Sequence, residues 1–148
     1  TNEFNFPEGN IVQDLEAWKV LFAQCPVPVV AGGFEIGDKF RYPAKSIQND
    51  FEGGHTNPLV MSYITYDSMP YERQTWDLTS VLYAVEPEKP WFDLSPKGKI
   101  TIAADGKSSF AEGNGEQQYL IYKNNQQPVL NRLVELVTGK TTENKDQH

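Results

Sequence analysis

The sequence predicts an α/β fold: a partial open sheet with flanking helices and a small region of antiparallel hairpins. Three observations point there. Strand-like, helical and again strand-like segments follow one another within residues 3–33. Two later segments, 57–67 and 75–86, carry helical spacing. Residues 91–122 then switch to alternation broken by turn dipeptides.

The elements follow in order. "EFNF" (3–6) alternates polar and apolar residues and reads as a strand end. In "NIVQDLEAWKVLFAQ", Asn10 and Gln13 resemble a capping box. Val12, Leu15, Trp18 or Lys19, and Phe22 then recur at helical spacing, and Pro26 marks the stop. "VPVVAGG" reads as a buried strand of β-branched residues, so residues 3–33 suggest a parallel α/β unit. Gly and Pro punctuate 33–56 around one short helix near 43–51. "NPLVMSYITYD" reads as a helix that tolerates Pro58 in its first turn, and Met69-Pro70 breaks it.

In "YERQTWDLTS", Thr75 reads as the cap of a helix whose apolar stripe is Leu78, Val81, Leu82 and Val85. Turn signals at Pro96–Gly98, Asp105-Gly106 and Asn114-Gly115 predict antiparallel hairpins. Pro128 opens a last helix with Leu130, Leu133, Val134 and Val137 on one face, and Gly139 ends it. Residues 1–139 are read as one domain portion and 140–148 as a polar, disordered tail. The first residue is Thr1 rather than Met, so a processed or excised piece is expected.

Composition narrows the function classes. A net charge of −7 argues against nucleic acid as a partner, since a phosphate backbone calls for a basic face. No run of 18 apolar residues codes a membrane span. Eight Phe, seven Tyr and three Trp support a packed body rather than a disordered chain. The single Cys25, before Pro26, reads as a buried residue at a helix end and not as a nucleophile. His55 and His148 have no metal-ligand partner at useful spacing. G-x-S-x-G, P-loop and G-x-G-x-x-G patterns are absent.

Four residues invite a functional reading beside an ordinary one. Asp77 heads an apolar helix, where a carboxylate is favoured by the helix dipole. It could equally be a hard-cation ligand or a hydroxyl acceptor, although one carboxylate makes no calcium site. Trp76 is either a core residue or a stacking platform for a planar ligand. Glu3 and Asn5 share one face of a strand end, as solvated edge residues or as polar groups converging on a sugar-like ligand. On the residues alone the function stays open.

Several segments together resemble the C-terminal half of the inosine-uridine-type nucleoside hydrolases. They are "EFNF" (3–6), "LEAWKVLFAQCPVPVVAGGFEIG" (15–37), "YPAKSI" (42–47), "RQTWDLTSVLYAV" (73–85) and, more weakly, "FDLSPKGKITI" (92–102). The resemblance implies part of an open, mixed-sheet α/β fold. It implies hydrolysis of the N-glycosidic bond of ribonucleosides, with calcium holding the attacking water and the ribose diol. In its terms Glu3 holds the 5′-hydroxyl end of the ribose and Asn5 binds the diol region. Asp77 is a metal ligand that also touches the ribose. Many pyrimidine-accepting members have a histidine before that aspartate. Here Trp76 stands there, as in purine-preferring members, where an indole stacks on the base. Tyr66, Tyr71 and Arg73 fall on the segment that closes over the base.

The family's D-x-D-x-G-x-D-D motif, which supplies the general base and most metal carboxylates, is absent from the 148 residues. Asp50, Asp67, Asp93 and Asp105 are dispersed and do not replace it. This chain alone is therefore expected to be inactive, with no catalytic base. Calcium is expected only with a complementary N-terminal polypeptide. The expected partners are that polypeptide, or a further copy of this chain, and a ribonucleoside. The competing expectation is a non-catalytic ligand-binding or protein-interaction module built on the same fold.

Overall fold

In the computed structural model, residues 2–3 and 6–140 are described. The elements run β1 (Asn2–Glu3), α1 (Gly9–Gln13), α2 (Leu15–Gln24), β2 (Val29–Ala31), α3 (Phe34–Lys39), β3 (Arg41–Tyr42), α4 (Ala44–Asn49) and α5 (Pro58–Tyr66). Then come β4 (Arg73–Gln74), α6 (Asp77–Val85), β5 (Asp93–Leu94), β6 (Gly98–Ile102), β7 (Ser108–Glu112), β8 (Gln117–Ile121) and α7 (Gln126–Thr138). The expected disordered tail falls, from residue 141 on, outside the described residues, as do Phe4 and Asn5 of the expected strand end. No helix among the described residues is long and apolar enough to cross a membrane. The chain divides into two compact units, residues 1–31 with 93–121, and residues 32–92 with 122–148.

The first unit is a mixed sheet with helices against it. Its strand order is β1-β7-β6-β8-β2, with β5 also on β8. Among the described residues only β2 and β8 pair in parallel, Val29 opposite Gln117. The parallel unit expected from residues 3–33 is therefore corrected: β1 and β2 are separated by three strands that come later in the chain. Edge position also explains why β2 is half-buried and not buried as its β-branched run suggests.

The first helical run is broken where the sequence reads as continuous. Asp14 leaves helical geometry, and its carboxylate accepts the N–H of Ala17 at 3.0 Å. That cap starts α2 and replaces the expected capping box at Asn10 and Gln13. Ile11, not Val12, then takes the buried position on α1. On α2, Phe22 packs with Ile100 and Phe110, and Trp18 stacks on Phe22 at 5.7 Å.

The β6–β7 hairpin forms as expected, Gly98 opposite Glu112 through Ile102 opposite Ser108. Gly106 turns it at φ 85°, and the Asp105 carboxylate accepts the Lys107 N–H at 3.1 Å. No second hairpin forms at Asn114-Gly115. β8 crosses instead to the far side of β6, where Gly98 faces Gln117. A Cβ at Gly115 would run into the Gly98 carbonyl, so glycine permits that crossing. The Gln117 side chain then ties the sheet to α2, accepting from the Ile100 N–H and donating to the Phe22 carbonyl.

The second unit is mostly helical around a two-stranded ribbon, with Arg41 opposite Gln74 and Tyr42 opposite Arg73. Its core gathers Tyr42, Ile47, Val60 and Val134, with Leu59, Leu78 and Val137 against them. Helices α4 and α5 lie where expected. Asn57 accepts the Leu59 N–H at 3.0 Å, and Pro58 occupies the first helical position of α5. Helix α7 begins at Gln126, two residues before Pro128, and ends at Gly139 with φ 69°.

On α6 the expected stripe is rotated. Val81 and Val85 are 53% and 59% exposed, whereas Thr79 and Leu82 are buried. The inward face continues to Glu86, whose Oε1 accepts from Arg132 Nε and Nη2 at 2.9 and 2.5 Å. Trp91 Nε1 donates to the other carboxylate oxygen at 2.8 Å. These bonds join the end of α6 to α7.

Hydrogen bonds from Arg132 and then Trp91 hold the Glu86 carboxyl below its ordinary range. A depressed carboxyl adds stability above its unfolded pKa, about 4.3. That stability is lost as pH falls through the folded value. Urea unfolding at successive pH values is expected to show stability dropping below about pH 4.3. Glu86→Gln should flatten that acid limb. An acid limb of the same slope in the variant would exclude Glu86 as its source.

Candidate functional site

The corner at Trp76-Asp77 is built from β4 outward. Strand β4 pairs with β3 and delivers Thr75 inside, 4% exposed. The Thr75 N–H donates to the carbonyls of Phe40 at 2.9 Å and Gly37 at 3.3 Å. Trp76 then turns through φ 24°, ψ −90°, a conformation that costs a non-glycine residue on the order of 1–3 kcal/mol. Asp77 is the first residue of α6 and is exposed. Residue 76 is thus the N-cap, which corrects the expectation of a Thr75 cap. Among the described residues the buried Thr75 Oγ1 has no hydrogen-bond partner.

Further contacts hold the corner. Thr79 Oγ1 donates to the Trp76 carbonyl at 2.9 Å. The Leu78 N–H donates to the Thr75 carbonyl at 2.6 Å. The Trp76 indole lies over Gly37 so closely that a Cβ there would sit 2.7 Å from its Cα and Cε3. Phe34 flanks the same indole, with ring centroids 5.0 Å apart and planes tilted by 38°. Trp76 is left half-buried. Pattern reading passed over Phe34, Gly37 and Thr79. The one local signal was a glycine inside a short helical run, "FEIGDK", which marks close backbone approach without naming the partner.

Tyr66, Tyr71 and Arg73 do come together. The Arg73 guanidinium lies 3.9 Å from the Tyr66 ring centroid, a cation–π contact. Tyr66 and Tyr71 are 6.3 Å apart, and Tyr71 stacks on Tyr63 at 5.4 Å. The Tyr71 hydroxyl donates to the Tyr63 carbonyl at 2.8 Å. Burial, reinforced by Tyr71 and Tyr42, pushes the Tyr63 phenol up to about 12 against the opposing pull of Arg73. Exposed Tyr66 also borders an open groove with Met61, Ser62 and Thr65.

The other candidates are placed as follows. Glu3 lies on β1 opposite Ser109, in the first unit, and Asn5 is outside the described residues. Cys25 is the half-buried C-cap of α2. His55 is exposed in a short 3-10 turn, Gly54–Thr56, and His148 is outside the described residues. Calcium takes six to eight oxygen ligands. Among the described residues no group of three or more His, Cys, Asp or Glu could hold a metal. Asp77 with its neighbours does not fit calcium unaided.

What the corner can do chemically is bounded by these facts. It offers a half-buried indole, an exposed carboxylate at a helix start and a strained backbone between them. Neither protein-family models nor curated proteins match the chain.

Proposed function

We propose that the Trp76-Asp77 corner is one wall of a nucleoside hydrolase site, completed by a complementary N-terminal polypeptide. The reaction is hydrolysis of the N-glycosidic bond of a ribonucleoside. A water oxygen bonds to C1′, the C1′–N bond breaks toward the base, and the base nitrogen gains a proton. The strained backbone at Trp76 carries this reading. A bulky residue held at positive φ persists only where its surroundings over-determine it, and such strain concentrates at functional sites.

The roles follow from the chemistry. Positive charge grows on the sugar as the bond to the base breaks, and the exposed Asp77 carboxylate would favour it. The Trp76 indole would stack on the leaving base. The general base and the remaining metal carboxylates belong to the complementary half. Ribose release on mixing the chain with a half that bears D-x-D-x-G-x-D-D tests the proposal. Ribose is expected from inosine, and no ribose from either inosine or uridine would sink it.

A second reading has one observation in its favour. Among the described residues β2 pairs with β8 alone, and Val27, which precedes the strand, is 60% exposed. A strand with a partner on one side suits a binding or interaction module that adds a strand there. Nucleoside binding without hydrolysis in the mixed sample would select that reading.

A further inference from the structure

Helix α3 presents two residues to the Trp76 indole, and they do different things. Phe34 and Gly37 are three apart and so share one helix face. Gly37 is a floor: its lack of a Cβ admits the indole edge and the Trp76 backbone. Phe34 is a side wall, its ring 5.0 Å from the indole and tilted by 38°. The Trp76 backbone is already fixed by the links of Thr75 to Gly37 and Phe40 and of Thr79 to Trp76. Beyond the backbone, the Trp76 indole has two neighbours on α3: Gly37 against its Cε3 edge and the Phe34 ring with its centroid 5.0 Å away.

Phe34 is also 39% exposed, at the first residue of a helix whose buried residues are Ile36 and Gly37. A ring needed only for the core would be buried with them. Its position beside the indole matters because ring–ring attraction depends on offset and tilt as well as area.

We infer that Phe34 is the positioning residue that sets the Trp76 indole for a purine, and thereby decides the preference between purine and pyrimidine nucleosides. The inference rests on the nucleoside hydrolase reading of the same corner. Phe34 acts through Trp76, so its effect disappears when the indole does.

The experiment compares four forms of the chain assembled with its complementary half: unsubstituted, Phe34→Leu, Trp76→Leu and the double variant. The readout is the ratio of kcat/KM for inosine to that for uridine. Phe34→Leu is expected to lower the ratio roughly three- to tenfold, through KM, the size of one aromatic contact. In the Trp76→Leu background it should change the ratio no further. Phe34→Tyr, which keeps the ring, should hold the ratio near the unsubstituted value. Phe34→Met fills similar volume without a ring and stands in if Phe34→Leu does not fold.

An unchanged ratio in Phe34→Leu, or an equal further drop in the double variant, overturns the inference while the hydrolase reading stands. No ribose from either nucleoside with the unsubstituted chain removes that reading and this inference with it.

Discussion

Asp77→Ala is expected to cut ribose release from inosine and uridine by a hundredfold or more, on the order of the loss when one transition-state stabiliser is removed. The fold should barely notice. Asp77 is exposed at the first residue of α6, where a carboxylate contributes about 0.3–1 kcal/mol through the helix dipole. Most of the corner's rigidity comes from other groups: the Thr75 N–H, the Thr79 hydroxyl and the contact with Gly37. Urea midpoints of the variant and the parent should therefore lie close together. Asp77→Asn separates charge from shape, since the amide keeps an oxygen acceptor at the helix start and loses the negative charge. If electrostatics dominates, Asn should be nearly as inactive as Ala. Full activity in Asp77→Ala with an intact fold would remove Asp77 from the site.

How much of this could be read from the residues depends on where the determining contacts lie. Helix α5 was legible because Asn57 and Pro58 mark its start locally. The β6–β7 hairpin was legible because Asp105-Gly106 specifies its own turn. By contrast, β3 and β4 are two-residue strands that exist by pairing Tyr42 with Arg73, and no local pattern announces such a pair. Strand β2 was readable as a strand, yet its parallel partner β8 lies far along the chain. The interruption at Asp14 was missed because apolar spacing runs straight through it.

The site shows the same division. That a helix begins near Asp77 was legible. The cap was misplaced because Thr is a favoured cap residue and Trp at positive φ is disfavoured. Contacts to Gly37 and Phe40 override that preference, and they come from a different helix and the residue after it. Phe34 was invisible for the same reason: only the folded chain brings positions 34 and 76 together.

Gly37→Ala tests that override directly. In a helix, alanine is favoured over glycine by about 0.8–1 kcal/mol, so α3 itself would gain. Against the gain stands a Cβ 2.7 Å from the Trp76 Cα and Cε3 and 3.0 Å from its N. The indole could rotate away, but the backbone atoms cannot easily follow. Thr75 next door is bonded to Gly37 and Phe40, and the Trp76 carbonyl accepts from Thr79. Overpacking of this kind costs about 1–3 kcal/mol, with the upper end apt where backbone is struck. The expected net result is a loss of roughly 1–2 kcal/mol in urea unfolding at constant slope. A variant as stable as the parent would mean that the indole does not rest on α3. The same substitution should weaken inosine more than uridine in the assembled enzyme, because pushing the corner away from α3 moves the indole before it moves anything else.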